Sequence, residues 1–312
     1  MTREASARTA TTLPTRRVQF NLDNTPLHWL PGDNFSSHTI NGIHLLLPAG
    51  EFWFCRVYNK ALPLVTDPVL REEMIGFIRQ EGMHARVHKE AQKYLTRHGI
   101  ETETYLKRVD RLFSKVLGDK PLGLSGLSGP RIDKHWLIIR VGIIATIEHF
   151  TGVLGQWAMD NKSWDAGDPV MVDVFRWHLA EEVEHRTVAF DVYEHLCKNE
   201  PAFYLTRQAL MAVVFPLFIH FLLEGYRSMA RQDVSDPVSQ RLARKPFWTL
   251  IREVERVGKL THNIPQFSFL VSATKRWISP SFHPIHEGNT EQALSYLARS
   301  PAAQAAALAA GA

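Results

Sequence analysis

Between Trp177 and Arg186 the chain reads WHLAEEVEHR, a run rich in side chains that bind metals. At 3.6 residues per turn, with His178 as zero, Glu182 falls at about +40° and His185 at about −20°, so two imidazoles and a carboxylate share one narrow helix face. Val183, Val188 and Ala189 flank that face, which turns it toward the interior with its polar groups. A carboxylate taken out of water needs a partner, and a cation is the simplest one. Glu181 lies about 40° from His185 on the same wheel and rivals Glu182 for the inward place. Glu182 is preferred because it makes Glu-x-x-His with His185.

A second Glu-x-x-His, Glu81 with His84, stands on a helix that Asp67-Pro68 opens as cap and first residue and that Gly99 ends. Phe77, Ile78, Glu81, His84, Ala85 and His88 fall on or near one stripe of it. His88, one turn on, reads either as a group behind a ligand or as a solvated histidine. Each Glu-x-x-His follows an isolated acid in an apolar run: Glu51 in GEFWFCRVY and Glu148 in IIATIEHFTG. Glu51 could serve as a helix-start acid, but Glu148 has no cation one turn away to satisfy it. His149, beside it, points elsewhere and reads as a core or outer-shell histidine. Asp168-Pro169 opens the helix that carries WHLAEEVEHR, as Asp67-Pro68 opens its counterpart. The intervals from isolated acid to motif are 30 residues (51 to 81) and 34 residues (148 to 182). Two helical hairpins related by a pseudo-twofold axis are therefore expected.

The order Glu, Glu-x-x-His, Glu, Glu-x-x-His is the ligand order of carboxylate-bridged di-metal four-helix bundles. It makes Glu51, Glu81, His84, Glu148, His178, Glu182 and His185 the candidate metal ligands. The alternative, buried Glu and His satisfying one another by hydrogen bonds, costs heavily for four carboxylates in one core. Four carboxylates with imidazoles and no thiolate suit iron or manganese better than a structural zinc. Four negative charges balance two divalent ions, and the third imidazole, His178, would make those ions unequal. The leading expectation is a di-iron oxygenase or oxidase, with Mn or mixed Mn/Fe as variants. It would take O2 as co-substrate, an external electron donor, and a small organic substrate that is apolar or amine-bearing. The alternatives are hydrolysis by a two-metal-activated water and, outside catalysis, iron handling or a metal-stabilised scaffold.

The rest of the chain must position these groups. With 312 residues and 45% hydrophobic content it can bury a sizeable core as one domain. The expected fold is all-α: a four-helix bundle with a di-metal carboxylate core plus additional C-terminal helices. Residues 1–19 are read as a disordered N-terminal arm, 20–290 as one helical domain with an extension from about 201, and 291–312 as an alanine-rich tail, weakly helical at best. Residues 20–48, broken by Pro26, Pro31, Gly32, Asn34, Asn41 and Gly42, read as a loop crossing the surface. The first helix follows from Gly50, a shorter one covers 101–118, residues 121–130 form a linker, and a long helix spans 132–161. The apolar run 209–223 is 15 residues, short of the roughly 20 that cross a bilayer. It reads first as a buried helix lining an apolar channel. A peripheral membrane contact comes second, aided by Arg227, Arg231, Arg241, Arg244 and Lys245. Residues 245–278 read as helical and basic, and Ser281-Phe282-His283-Pro284 as the end of the ordered chain. A net charge of +4 with no basic aromatic run excludes a nucleic-acid partner. Two cysteines, Cys55 and Cys197, suit core packing in a reducing cytoplasm. A homodimer is compatible with the helices, although no heptad seam stands out.

In order, GEFWFCRVYN, RQEGMHARVH, IEHFTG, WHLAEEVEHRTVAFDVYEH and SFHP resemble the blocks of the bacterial family labelled predicted metal-dependent hydrolases, across residues 20–287. That resemblance implies a ferritin-like bundle. The pattern His178-x-x-x-Glu182-x-x-His185 also resembles the di-iron p-aminobenzoate N-oxygenases. This second resemblance implies Glu51, Glu81, His84, Glu148, His178, Glu182 and His185 as iron ligands.

Overall fold

Two Asp-Pro pairs frame the molecule. The Asp67 carboxylate accepts the backbone N–H groups of Val69 (2.9 Å) and Leu70 (3.1 Å), and Pro68 fills the first helical position, where its missing N–H costs nothing. Asp168 accepts the Met171 N–H at 2.9 Å ahead of Pro169 in the same way. The computed structural model describes residues 13–197 and 200–311, and its regular elements there are all helices, with no strand among the described residues. They run α1 Asn34–Asn41, α2 Ile43–Ala61, α3 Pro68–Arg97, α4 Glu103–Arg111, α5 Pro130–Asp160, α6 Pro169–His185, α7 Val188–Leu196 and α8 Glu200–Ala230, then α9 Pro237–Leu242, α10 Phe247–Thr261, α11 Phe267–Ile278, α12 Thr290–Leu297 and α13 Pro301–Gly311.

Four of these helices surround the site. α2 packs along α3 and α5 along α6, and the two pairs meet where α2 touches α5 and α3 touches α6. α7 and α8 lie against α5, α1 lies on α8, and α12 covers α6. The approach of α5 to α6 depends on Gly155. A Cβ there would stand 2.4 Å from the Leu179 carbonyl oxygen and 2.7 Å from Val183 Cγ2, so only hydrogen fits.

Several stretches differ from the sequence reading. Residues 20–48 are not wholly a surface loop: α1 and the first turns of α2 lie within them. Asp33 caps α1 through the Ser36 N–H (3.0 Å). Pro48 sits inside α2 because the helix bond it cannot make is replaced: the Gln92 side-chain amide donates to the freed His44 carbonyl at 3.0 Å. Both imidazoles of His28 and His38 meet one oxygen of Asp233, at 2.6 and 2.9 Å, and tie the turn after α8 to this region.

Of the expected N-terminal arm, residues 1–12 lie outside the described residues, whereas Leu13, Arg16 and Val18 are held against the helices. Leu13 is buried on Gly76, where a Cβ would meet the Leu13 Cβ at 2.6 Å, and Val18 is buried as well. At the other end the chain stays ordered beyond Pro284. α12 and α13 hold against α6 because the Tyr296 hydroxyl and the Ala302 N–H both reach Asp173, at 2.7 and 3.2 Å.

The apolar run 209–223 belongs to a helix more than twice its length. Both Pro130–Asp160 and Pro201–Ala230 are long and apolar enough to cross a membrane by length and composition. They differ in surroundings: 67% of the most apolar window of α5 is buried, against 33% for α8.

Replacing Gly155 by alanine is expected to destabilise the fold by about 1–3 kcal/mol, the usual cost of forcing a methyl into a filled interface. Urea denaturation of purified wild-type and Gly155→Ala protein, compared at the midpoint, measures it.

Candidate metal centre

Four helices carry seven side chains to one point. Glu51 comes from α2, Glu81 and His84 from α3, Glu148 from α5, and His178, Glu182 and His185 from α6, each at most 3% exposed. His185 Nε2 stands 3.3 Å from an oxygen of each of Glu81, Glu148 and Glu182. His84 Nδ1 is 3.3 Å from Glu182 and 3.5 Å from Glu81, and His178 Nε2 is 2.8 Å from Glu182 and 3.5 Å from Glu51. Their ligand atoms fall into overlapping groups, each within 4.8 Å: Glu81, Glu148, Glu182 and His185; Glu51, Glu81 and His84; His84, His178 and Glu182. A further group joins Glu51 and His178 to His88, so Glu51, Glu81, His84, His178 and Glu182 each belong to two groups and the cluster is continuous.

Outer partners settle which nitrogen of each histidine faces the centre. His84 donates through Nε2 to Glu181 Oε2 at 2.9 Å, so its Nδ1 turns inward. His185 donates through Nδ1 to the Gln80 amide oxygen at 2.9 Å, leaving Nε2 inward. His178 Nδ1 meets His88 Nε2 at 2.6 Å, and His88 Nδ1 meets His44 Nδ1 at 2.7 Å. His88 is thus buried behind His178 and is not a solvated histidine. His149 points away and meets the Ala273 carbonyl at 3.1 Å.

Glu181, the rival of Glu182, lies outside the cluster between His84 and Arg16, whose guanidinium reaches Glu181 at 2.7 Å and Glu184 at 2.9 Å. Gln80 closes this outer ring by donating to Glu184 at 2.8 Å. Arg16, Gln80, His44 and Glu184 were not foreseen. Gln80 and Glu184 stand beside the Glu-x-x-His motifs, but nothing local shows what they meet, and Arg16 belongs to a stretch whose composition gives no sign of packing.

The electrostatics show what the cluster lacks. Both oxygens of Glu51, Glu81 and Glu148 and Nδ1 of His84 are buried without a hydrogen-bond partner. Burial, and then the neighbouring carboxylates, push Glu51 and Glu148 well above the ordinary carboxylate range and raise Glu81 too. Burial acts on Glu182 in the same sense, but His185, His178 and His84 outweigh it and hold Glu182 well below that range. Burial lowers His178 to about 4. His84 and His185 are lifted well above the usual imidazole range, since the surrounding carboxylates overcome the burial that opposes them.

Orphaned carboxylate oxygens converging with inward imidazole nitrogens fit divalent cations, which replace the missing partners and the surplus protons together. Cys55 is no part of this: its thiol donates to the Ile78 carbonyl, and burial raises it to about 12. On one side the four carboxylates are exposed to an apolar cavity of ≈140 Å³, with Phe54, Ile143 and Val214 among its other walls.

Two outcomes follow. Because burial and the neighbouring carboxylates push Glu51, Glu81 and Glu148 upward when no metal is bound, loading the centre should release protons, and apparent affinity should fall as pH is lowered. Titration calorimetry with Mn(II) in buffers of different ionisation enthalpy reads the number released. Glu181→Ala removes the acceptor that orients His84, and should weaken metal binding about 10–100-fold with helical content unchanged. Competition with a chelator, alongside circular dichroism, measures both.

No curated protein and no solved structure matches the chain. The model of a family described as predicted metal-dependent hydrolase matches residues 14–288, a span that includes Arg16 as well as all seven clustered side chains. This match overturns the expectation of a di-iron oxygenase or oxidase and favours the hydrolytic alternative. Carboxylates and imidazoles serve redox-active and redox-inert divalent ions alike, so the donor set alone could not have made that choice. Matched over most of its length, the chain belongs to the predicted metal-dependent hydrolase family.

Proposed function

We propose that this protein is a two-metal hydrolase built on a ferritin-like four-helix bundle formed by α2, α3, α5 and α6, with residues 20–290 acting as one domain. The observation that carries this reading is the set of orphaned carboxylate oxygens of Glu51, Glu81 and Glu148, gathered with His84, His178, Glu182 and His185 at the wall of a cavity. Two divalent ions bound there would supply Lewis acidity and lower the pKa of water toward neutrality.

The chain's own residues do the rest. The side chains shared between ligand groups, among them Glu81 and Glu182, would set the spacing of the two positions. Glu51, with Glu81 and His84, serves one position, and Glu148 and His185 serve the other. Glu181, Gln80 and His88 hold the three imidazoles in their orientations. Leu46, Phe54, Val214 and Phe218 exclude bulk water from the cavity face, so a substrate meets the centre in a low-dielectric enclosure.

Protein loaded with Mn(II) or Zn(II) is assayed under argon against carboxylic esters, amides and phosphoesters. Turnover of at least one class is expected, unchanged by admitting air. Removing the metal, or Glu148→Ala, should reduce it by at least about 100-fold, as expected when a Lewis-acid contribution of several kcal/mol is lost. A fully loaded protein that turns over none of the three classes overturns the reading.

A further inference from the structure

The cavity at the carboxylates is the first of a row. A second, of ≈100 Å³, lies beyond it, with His178 in its wall; Leu46, Leu47, Thr151 and Phe218 line both. A third, of ≈90 Å³, continues from the second, the two sharing Ile40, Ile43, Leu154, Leu222, Ile264 and Pro265. The row follows α8 from Leu210 to Leu223, between that helix and α2 and α5. At its start, Val213 (65% exposed) and Leu217 (37% exposed) line the first cavity while also standing on the outward side of α8, so the row opens to the exterior there.

Resting on the hydrolytic reading, we propose that the substrate is a carboxylic ester of a long unbranched aliphatic acid, its chain threaded through the three cavities and its ester group at the carboxylate cluster. The shape selects the chain. Three small spaces in sequence, separated by partly buried side chains such as Phe218 and Leu222, admit a flexible thread and obstruct a rigid ring system. The second and third, away from the carboxylates, are of the apolar kind that stays dry at ~150 Å³ and takes up a hydrocarbon.

The lining selects the functional group. No Lys or Arg lines any of the three cavities, so a phosphate would bring charge into a space with no basic side chain. The threonine hydroxyls are already committed: Thr151 donates to the Glu148 carbonyl at 3.1 Å and Thr39 to the Phe35 carbonyl at 2.8 Å. The Asn263 amide donates to Asp33 at 3.0 Å. An ester suits this environment better than an amide because it brings no N–H that must find an acceptor. In the reaction one water adds its oxygen to the acyl carbon, the bond from that carbon to the alcohol oxygen breaks, and a proton from the water ends on the departing alcohol. The alcohol portion lies toward the mouth at Val213 and Leu217, and the acyl chain runs inward past His178.

The test separates the channel from the chemistry. Linear 1-alkanols from butanol to decanol are titrated calorimetrically into the metal-loaded protein, and p-nitrophenyl esters of linear acids from C4 to C16 are assayed for kcat/KM. Binding should tighten by up to about fourfold per added methylene until the row is filled. Values of kcat/KM should rise with chain length in parallel, and the corresponding alkyl phosphates should not react. Leu154→Trp, which fills the junction of the second and third cavities, should stop the rise in affinity and in kcat/KM at a shorter chain. Leu222→Phe, a milder filling of the same junction, serves if the tryptophan variant does not fold. Ester hydrolysis that does not depend on chain length overturns the channel while leaving the hydrolytic reading standing. Chain-length-dependent binding with no ester hydrolysed overturns the ester assignment, and absence of turnover on every class in the broader screen then removes the hydrolytic reading itself.

Discussion

The constraint on which this molecule turns is the cost of holding four carboxylates in a helical interior. A charged carboxylate taken out of water loses several kcal/mol that no apolar neighbour returns. The surroundings of the four are apolar: Phe77 stacks edge-on against His185, Trp177 against His84, and Ile143, Ile147 and Phe54 wall the open side. Three imidazoles offset part of the charge, yet the oxygens of Glu51, Glu81 and Glu148 still lack hydrogen bonds. The protein retains this arrangement at the expense of stability, as expected of a site shaped to take up cations and not of a core optimised for packing.

That cost explains the ring of secondary contacts. An imidazole that offers one nitrogen to a cation must fix its other nitrogen, or the ring can turn and the donor is lost. Each of the three has a different anchor: a carboxylate for His84, an amide oxygen for His185 and a further imidazole for His178. The unequal anchors mean that the three imidazoles are unequal donors. Arg16 extends the ring to the N-terminal stretch. By pairing with Glu181 and Glu184 it neutralises acids that would otherwise add to the negative field behind His84.

What could be read from the sequence follows from how local each signal is. Glu-x-x-His and Asp-Pro are contained within one helical turn, so both motifs and both caps were visible, and the helices they define begin within a residue or two of expectation. Glu51 and Glu148 were visible as breaks in apolar runs. The second layer was not, because Arg16 meets Glu181 across 165 residues and Gln80 meets Glu184 across 104. The irregular look of residues 20–48 misled for the opposite reason: Pro48 breaks a helix unless something distant replaces its lost hydrogen bond, and Gln92, on another helix, does so. The alanine-rich tail was judged by composition alone, and its order comes from Asp173 on α6. The choice of chemistry was beyond the motif altogether, because the same ligands serve oxidation and hydrolysis.

α8 shows how a pattern that is uninformative in sequence acquires meaning in place. A helix that is apolar all round reads as buried, and α5 conforms, with two thirds of its most apolar window covered; α8, just as apolar, has only a third covered. One side of it, through Leu210, Val214 and Phe218, walls the cavity at the carboxylates, and Val213 and Leu217 carry the apolar surface outward over the rim. A polar rim would serve a charged or strongly hydrated substrate, which would then have to shed its water before meeting the apolar wall within. An apolar rim continuous with an apolar interior instead lets a hydrocarbon chain leave water once, at the surface, and stay out of it all the way to the centre.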